Sequence, residues 1–160
     1  MNYILKIKKK ICQKILDAIL FDYFDEHLHK YLLHNQLIWG DKQNLFVAKT
    51  AILNNALINL SSGKVTIEDY VFFGHNVSLL TGSHDYKKIG IERQMTATKS
   101  GQDIFIKKGA WIATNATILG PCTIGENSVV AACSLVNSDV PPFSIVAGIP
   151  AKVVKYIDSY

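Results

Sequence analysis

From Ile106 to Val140 the chain reads IKKGAW IATNAT ILGPCT IGENSV VAACSL VNSDV, a run of six-residue units without a slip. Each unit opens on an aliphatic residue: Ile106, Ile112, Ile118, Ile124, Val130 and Val136. Four places later stands a small or β-branched one: Ala110, Ala116, Cys122, Ser128, Ser134 and Val140. A period of six matches neither the 3.6 of a helix nor the 2 of a plain strand. It matches a short strand plus a corner. Three such units close a triangular coil of roughly 18 residues, and coils stack about 4.8 Å apart through parallel hydrogen bonds. The leading residue points into the prism, and the residue four later packs inside near a corner, where only a small side chain fits. Asn76, Gly82, Gly109, Asn115 and Gly120 fall at corners, where they tolerate unusual backbone angles.

Upstream the same period places leads at Phe46, Ile52, Ile58, Ile67, Phe73 and Leu79, with Thr50, Ala56, Ser62, Val71, Val77 and Ser83 as their small partners. The twelve leads predict an all-β solenoid of about four coils. Two departures stand out. Three extra residues lie between Ile58 and Ile67, around SSGK. The lead due at position 85 arrives only at Ile106, so 21 residues, Asp85 to Phe105, are inserted. Ordered insertions longer than about 15 residues are uncommon and usually functional. Ahead of the solenoid, Ile4, Ile7, Ile11, Ile15, Ile19 and Leu20 recur at helical spacing among lysines. They predict an amphipathic helix to about Leu20. The stretch FDYFDEHLHKYLLHNQLIWG predicts a second, short helix ending near Gly40. Residues 1–44 thus read as a helical segment, and 45–160 as a solenoid with the inserted loop 85–105 and a C-terminal strand and tail.

A net charge of +4 suits anionic small molecules without demanding nucleic acid. Arg93 is the single arginine, and no nucleic-acid motif is present. Cys12, Cys122 and Cys133 are an odd number without CxxC spacing, which favours buried thiols in a reducing, cytoplasmic setting over disulfides or zinc. Lysines break up the N-terminal apolar residues, so no secretory leader is read there, and no run is long enough to span a membrane. The basic helix either covers a solenoid end or a neighbouring subunit, or makes peripheral contact with anionic lipid.

Three stretches, VTIEDYVFFGHNVSLLTGSHD, IKKGAWIATNATILGPCTIGENSVVAACSLVNSDVPP and SIVAGIPAKVVKYI, resemble the hexapeptide-repeat acyltransferases with a left-handed parallel β-helix. Within them the chain is most similar to sugar O-acetyltransferases of the galactoside and maltose type, over about Asn54 to Tyr156. The resemblance implies acetyl-CoA as co-substrate, no metal, and a homotrimer with active sites between neighbouring solenoids. The loop would help enclose acetyl-CoA and the acceptor, and SIVAGIPAKVVKYI would be the strand that leaves the solenoid. His84, at the end of T-x-x-H, would be the general base taking a proton from a sugar hydroxyl as it attacks the thioester. Its other ring nitrogen would be held by Asp85, Glu92 or a backbone carbonyl. Asn59 resembles the acceptor-binding asparagine. Trp111 resembles the tryptophan beside the cofactor groove, and Ala113, Thr114 and Ala132 align with positions along the pantetheine arm. Lys152 and Lys155 would face the cofactor phosphates. Asn137 and Ser138 stand where relatives often place a lysine.

The expected activity is acetyl transfer to a sugar hydroxyl in surface polysaccharide or lipopolysaccharide synthesis. N-acetylation of an amino sugar nucleotide and a non-catalytic structural solenoid are the alternatives. A γ-type carbonic anhydrase needs three metal-binding histidines. Only His75 and His84 lie in the solenoid, since His27, His29 and His34 precede it.

Overall fold

The computed structural model describes residues 7–20 and 35–158. Residues 1–35 and 36–160 form two compact units. In the first, residues 7–20 are helix α1, where Gln13 donates to the Asp17 carboxylate one turn on, at 2.9 Å. Ile4 and most of the second expected helix lie outside the described residues. Among those described, no helix is long and apolar enough to cross a membrane.

The second unit winds through strands β1 (Leu37–Trp39), β2 (Leu45–Val47), β3 (Leu57–Asn59), β4 (Val65–Ile67), β5 (Phe72–Phe73), β6 (Ser78–Leu80) and β7 (Ile104–Ile106). It continues through β8 (Trp111–Ile112), β9 (Thr117–Leu119), β10 (Cys122–Ile124), β11 (Val129–Val130), β12 (Leu135–Val136), β13 (Ser144–Gly148) and β14 (Ala151–Tyr156). The chain visits three sheets in turn. The first is β1-β3-β6-β9-β12, the second β2-β4-β7-β10, and the third β5-β8-β11-β13-β14. Pairing is parallel between coils, and only β14, in the segment SIVAGIPAKVVKYI expected to leave the solenoid, runs antiparallel to its neighbour β13. The first sheet has five strands, one more than about four coils would supply. The additional strand is β1, formed by Leu37–Trp39 where a helix ending near Gly40 was expected, so the solenoid starts before residue 45.

Register explains the hexads. Ile38, Ile58, Leu79, Ile118 and Val136 stand in one column across the first sheet. Val47, Ile67, Ile106 and Ile124 form a second column, and Phe73, Ile112, Val130 and Val146 a third. From Ile58 onward every lead is buried. Each fully buried side chain of this size contributes about 1.5–3 kcal/mol relative to an exposed one. Upstream of Ile58 the phase is shifted by one. Leu53 is 8% exposed while Ile52 is 59% exposed, and Phe46 pairs with the outward Thr66. The corner at Asn54–Asn55 is the cause. Ile52 pairs with Phe72, twenty residues on, whereas Leu57 pairs with Ser78, twenty-one on, so this corner is one residue shorter than the one above it. Of the small partners, Thr50 and Ser83 are exposed and the others are buried.

Left-handed backbone recurs in coil after coil at two of the three edges, with Asn54, Asn76, Asn115 and Cys133 at one and Tyr70, Gly109, Asn127 and Phe143 at the other; at the third, positive φ falls on glycines of the connections, Gly40, Gly90 and Gly101. Gly82 and Gly120 are not among them. Both are small for another reason: a Cβ at Gly82 would meet the Asn59 amide at 2.8 Å, and one at Gly120 the Gln102 carbonyl at 2.1 Å.

Successive coils are also tied by side chains. Glu68 accepts from Lys107 Nζ at 2.8 Å and from the Lys108 N–H at 3.0 Å. The Lys107 hydrogen bond, foremost, holds the Glu68 carboxyl below the usual carboxylate range. Because the folded state lowers this pKa, the stabilisation is present above the unfolded value and fades as pH falls through the folded one. Both partners are well exposed, so Glu68→Gln is expected to cost no more than about 1 kcal/mol at pH 7. In urea melts that difference should shrink as pH falls below about 4.

Cys122 is buried, and burial pushes its thiol up to about 12, with the Asp139 charge adding to it. Thiol labelling at pH 8 is therefore expected to spare Cys122 until the chain unfolds, since the thiolate is the reactive form. Cys12 and Cys133 are exposed, contrary to the expectation of buried thiols.

Candidate active site

The edge between the first and second sheets is unlike the other two. In the fourth coil β9 and β10 are joined there by Gly120 and Pro121 alone. In the coils before it the same connection grows to residues 40–44, 60–64 and 81–103. The three long connections lie one above another along this edge, and the last carries His84.

The long loop is built rather than slack. Its neck is a two-stranded antiparallel bridge between His84 and Ala97, with the Thr98 N–H donating to the Ser83 carbonyl at 2.9 Å and the Asp85 N–H to Thr96 at 3.3 Å. Its base is held by the Ser62 hydroxyl on the Thr98 carbonyl and by the Gln102 N–H on the Ser62 carbonyl. Its tip is helix α2 (Gly90–Met95), and the Arg93 guanidinium gathers it, donating to the carbonyls of Lys88 at 2.6 Å and Tyr86 at 3.0 Å. The regular coil resumes with β7, whose last residue, Ile106, is the lead expected there, while its first two, Ile104 and Phe105, fall within the stretch 85–105 read as inserted.

His84 Nδ1 lies 3.1 Å from the Arg93 carbonyl oxygen and 3.3 Å from that of Thr96. Carbonyl oxygens only accept, so Nδ1 carries the proton in these bonds, and in the neutral ring Nε2 keeps a free lone pair. The group that orients the imidazole is thus backbone. Neither carboxylate expected for the role does so. Asp85 accepts from the Lys87 N–H at 3.0 Å, an Asx turn, and Glu92 pairs with Lys88.

The imidazole lines an open cleft of about 410 Å³ with Ser83, Asp85, Tyr86, Thr96, Ala97 and Thr98. Asn59 does not line it but ends β3 one coil away, paired with Leu80, and its amide fills the space a side chain at Gly82 would take. Its Oδ1 accepts from the Ser61 N–H at 2.8 Å, which fixes the side chain.

The residues expected along the cofactor lie elsewhere on the chain. Trp111 is on the outer face of the third sheet, stacked on Phe72 with centroids 5.6 Å apart and planes 13° from parallel. Thr114 and Ala132 are exposed in successive coils at the edge between the third and first sheets, and Ala113 is buried beside them. Gly74 leaves that corner open for Thr114: a Cβ there would fall 2.4 Å from the Thr114 nitrogen. Lys152 and Lys155 are exposed on β14, opposite Ala147 and Ile145. His75, also exposed, shares the edge of Thr114, not that of His84. The chain therefore carries His84 and Asp85 at one edge, with Asn59 one coil away, and Thr114 and Ala132 at another beside the buried Ala113, while Trp111 on β8 and the two lysines on β14 are on the third sheet with β11 and β13 between them. The width of the first sheet lies between the two edges, roughly 10 Å for three-residue strands.

Sequence reasoning missed the opposite wall, Thr96 to Thr98, and the role of Arg93. The one available signal was that Arg93 is the only arginine and lies inside the insertion.

The bacterial transferase hexapeptide family (six repeats) matches residues 103–138, the slip-free part of the hexad run. The Saccharomyces cerevisiae protein YJL218W is 33% identical over 114 residues, covering 71% of this chain and 57% of that protein. Galactoside O-acetyltransferase of Escherichia coli is 30% identical over 115 residues, covering 72% of this chain and 55% of that enzyme. The chain thus spans just over half the length of these curated relatives. Among solved structures, the hexapeptide-repeat acetyltransferase VCA0836 of Vibrio cholerae is 27% identical, covers 84% of this chain and 80% of its own, and superposes with a TM-score of 0.68. The same protein solved with acetyl coenzyme A gives a TM-score of 0.55 at 28% identity, with 84% and 78% covered. With the repeat, the three-sheet prism and these likenesses in agreement, the chain belongs to the hexapeptide-repeat transferase family.

Proposed function

We propose that this protein transfers the acetyl group of acetyl-CoA to a hydroxyl of a sugar or glycan acceptor. The reading extends to the left-handed winding of the family, to a homotrimer acting in the cytoplasm, and to acceptors bound for a surface polysaccharide or lipopolysaccharide. The observation that carries it is the His84 ring, whose Nδ1–H is occupied by the Arg93 carbonyl at 3.1 Å while the same ring lines the cleft.

A base in this tautomer can act directly. Nε2 takes the acceptor hydroxyl proton as the oxygen attacks the thioester carbonyl carbon, and backbone N–H groups near the loop stabilise the tetrahedral oxyanion. As the C–S bond breaks, the imidazolium returns its proton to the departing sulfur. The protein forms no covalent acyl intermediate, since the reacting oxygen belongs to the acceptor. Asn59 would orient the sugar. Thr114, Ala132 and Trp111 would line the pantetheine arm, with Lys152 and Lys155 against phosphate. Because His84 lies at one edge of the prism and Thr114 and Ala132 at another, a complete site needs the second edge from a neighbouring copy. That separation is the support for a trimer with shared sites.

The test is acetyl-CoA consumption over a panel of neutral, acidic and amino sugars, with sedimentation velocity on the same sample. An ester product, labile in mild alkali, supports the reading. An alkali-stable amide on amino sugars alone, or a monomer with full activity, would overturn it.

A further inference from the structure

A second cleft, of about 250 Å³, lies along the same edge of the solenoid. Its walls include Asn44, Ser61 and Lys64 from the first two long connections, and Lys99, Gly101 and Asp103 from the returning arm of the loop. We propose that this cleft binds an anionic group, phosphoryl or carboxylate, carried by the acceptor, so that the preferred acceptor is an acidic sugar. Only the word acceptor rests on the transfer reading above; the anion site stands on its own geometry.

Three observations carry it. The first is contiguity. Thr98 lines the His84 cleft and Lys99, the next residue, lines this one, with the Ser62 hydroxyl pinning the Thr98 carbonyl between them. A ligand lying along the returning arm would meet both clefts. The second is charge. Lys64 and Lys99 are exposed and, among the described residues, have no ion-pair partner. The one carboxylate in the cleft, Asp103, already accepts from the Lys64 N–H at 2.8 Å. Two ammonium groups against one engaged carboxylate favour an anion, and lysine serves phosphate as a mobile point charge. The third is rigidity. The Lys64 carbonyl accepts from the Ile104 N–H at 2.8 Å, and a Cβ at Gly63 would fall 2.5 Å from the Gln102 carbonyl. The bulge is thus packed hard against the loop, and the wall needs little ordering when a ligand arrives.

The experiment uses the full chain and two readouts. Inorganic phosphate and acetate are titrated into isotope-labelled protein at ionic strength matched with sodium chloride, following the amide signals. Shifts centred on Ser61–Lys64 and Lys99–Gly101, absent in the double variant Lys64→Gln/Lys99→Gln, support the site. Phosphate against acetate tells phosphoryl from carboxylate preference. No saturable shift with either anion overturns the proposal, as does perturbation of these amides by acetyl-CoA alone, which would assign the cleft to the donor. In the second readout, glucose 1-phosphate, glucuronate and glucose are compared as acceptors. Lys99→Gln is expected to raise KM about tenfold for an anionic sugar, with kcat and the neutral sugar unchanged. An equal effect on charged and neutral sugars would overturn the proposal. If no sugar is acetylated the transfer reading falls, and the anion titration still decides the site.

Discussion

Replacing His84 by alanine is expected to lower kcat by about 10²- to 10⁴-fold, the range for loss of a positioned general base. Binding of acetyl-CoA should change by no more than about threefold, because the alanine removes an interaction made in the chemical step. The side chain is exposed, and its recorded partners are the carbonyls of Arg93 and Thr96, so the solenoid should melt as before. The variant does remove the Nδ1–H bond that ties the loop neck, and loop disorder would mimic loss of the base. His84→Asn separates the two explanations. Its amide can donate to the same carbonyls but offers no group able to take a proton at neutral pH. Asparagine is therefore expected to be as inactive as alanine. Recovery of activity in His84→Asn would make the ring a structural tie. Turnover within threefold of the parent in both variants would remove it from the mechanism.

How much of this was visible beforehand follows the physics of each feature. The hexads from Ile58 on were legible because burial follows a period of six that neither a helix nor a plain strand has: Ile112, Ile118 and Ile124 are fully buried where the count put them. The count failed one corner earlier. A single residue missing at Asn54–Asn55 shifts which side of the strand faces in, and composition offers no mark of it since Ile52 and Leu53 are equally apolar. β1 was misread for a related reason. Leu37–Trp39 is three residues long and at the solenoid end, so its pairing with Leu57–Asn59 is non-local and leaves no period of its own.

The candidate site divides the same way. His84 could be placed because the hexads stop at it. Its orienting partner could not, since a backbone carbonyl has no sequence identity. The two acidic residues that drew the eye turned out to serve a turn and a lysine. The second cleft was also out of reach: Lys64 and Lys99 are 35 positions apart, and their segments meet only in the fold, through the bonds of Ser62 to Thr98 and Gln102 and of Lys64 to Asp103 and Ile104.

The other large effect is expected in the core, from Ile118→Ala. Ile118 is fully buried on β9, with Leu79 and Val136 beside it in register on the flanking strands. Truncation removes three carbons from a narrow prism whose walls are hydrogen-bonded sheets and cannot collapse far. Such Ile→Ala changes cost about 2–5 kcal/mol, and the rigid surround argues for the upper half of that range. Ile118→Val, which removes one carbon, should cost only about 0.5–1.5 kcal/mol. Each coil packs only on its neighbours, so the loss should show as weaker coupling between the coils on either side rather than as a local defect. Urea melts read by far-UV circular dichroism measure both variants, at several protein concentrations because assembly would add to the apparent stability. A cost below about 1 kcal/mol for the alanine would mean that this side chain is not in the prism at all. The register that places His84 at its edge, five residues beyond the column of Leu79 and Ile118, would then be wrong with it.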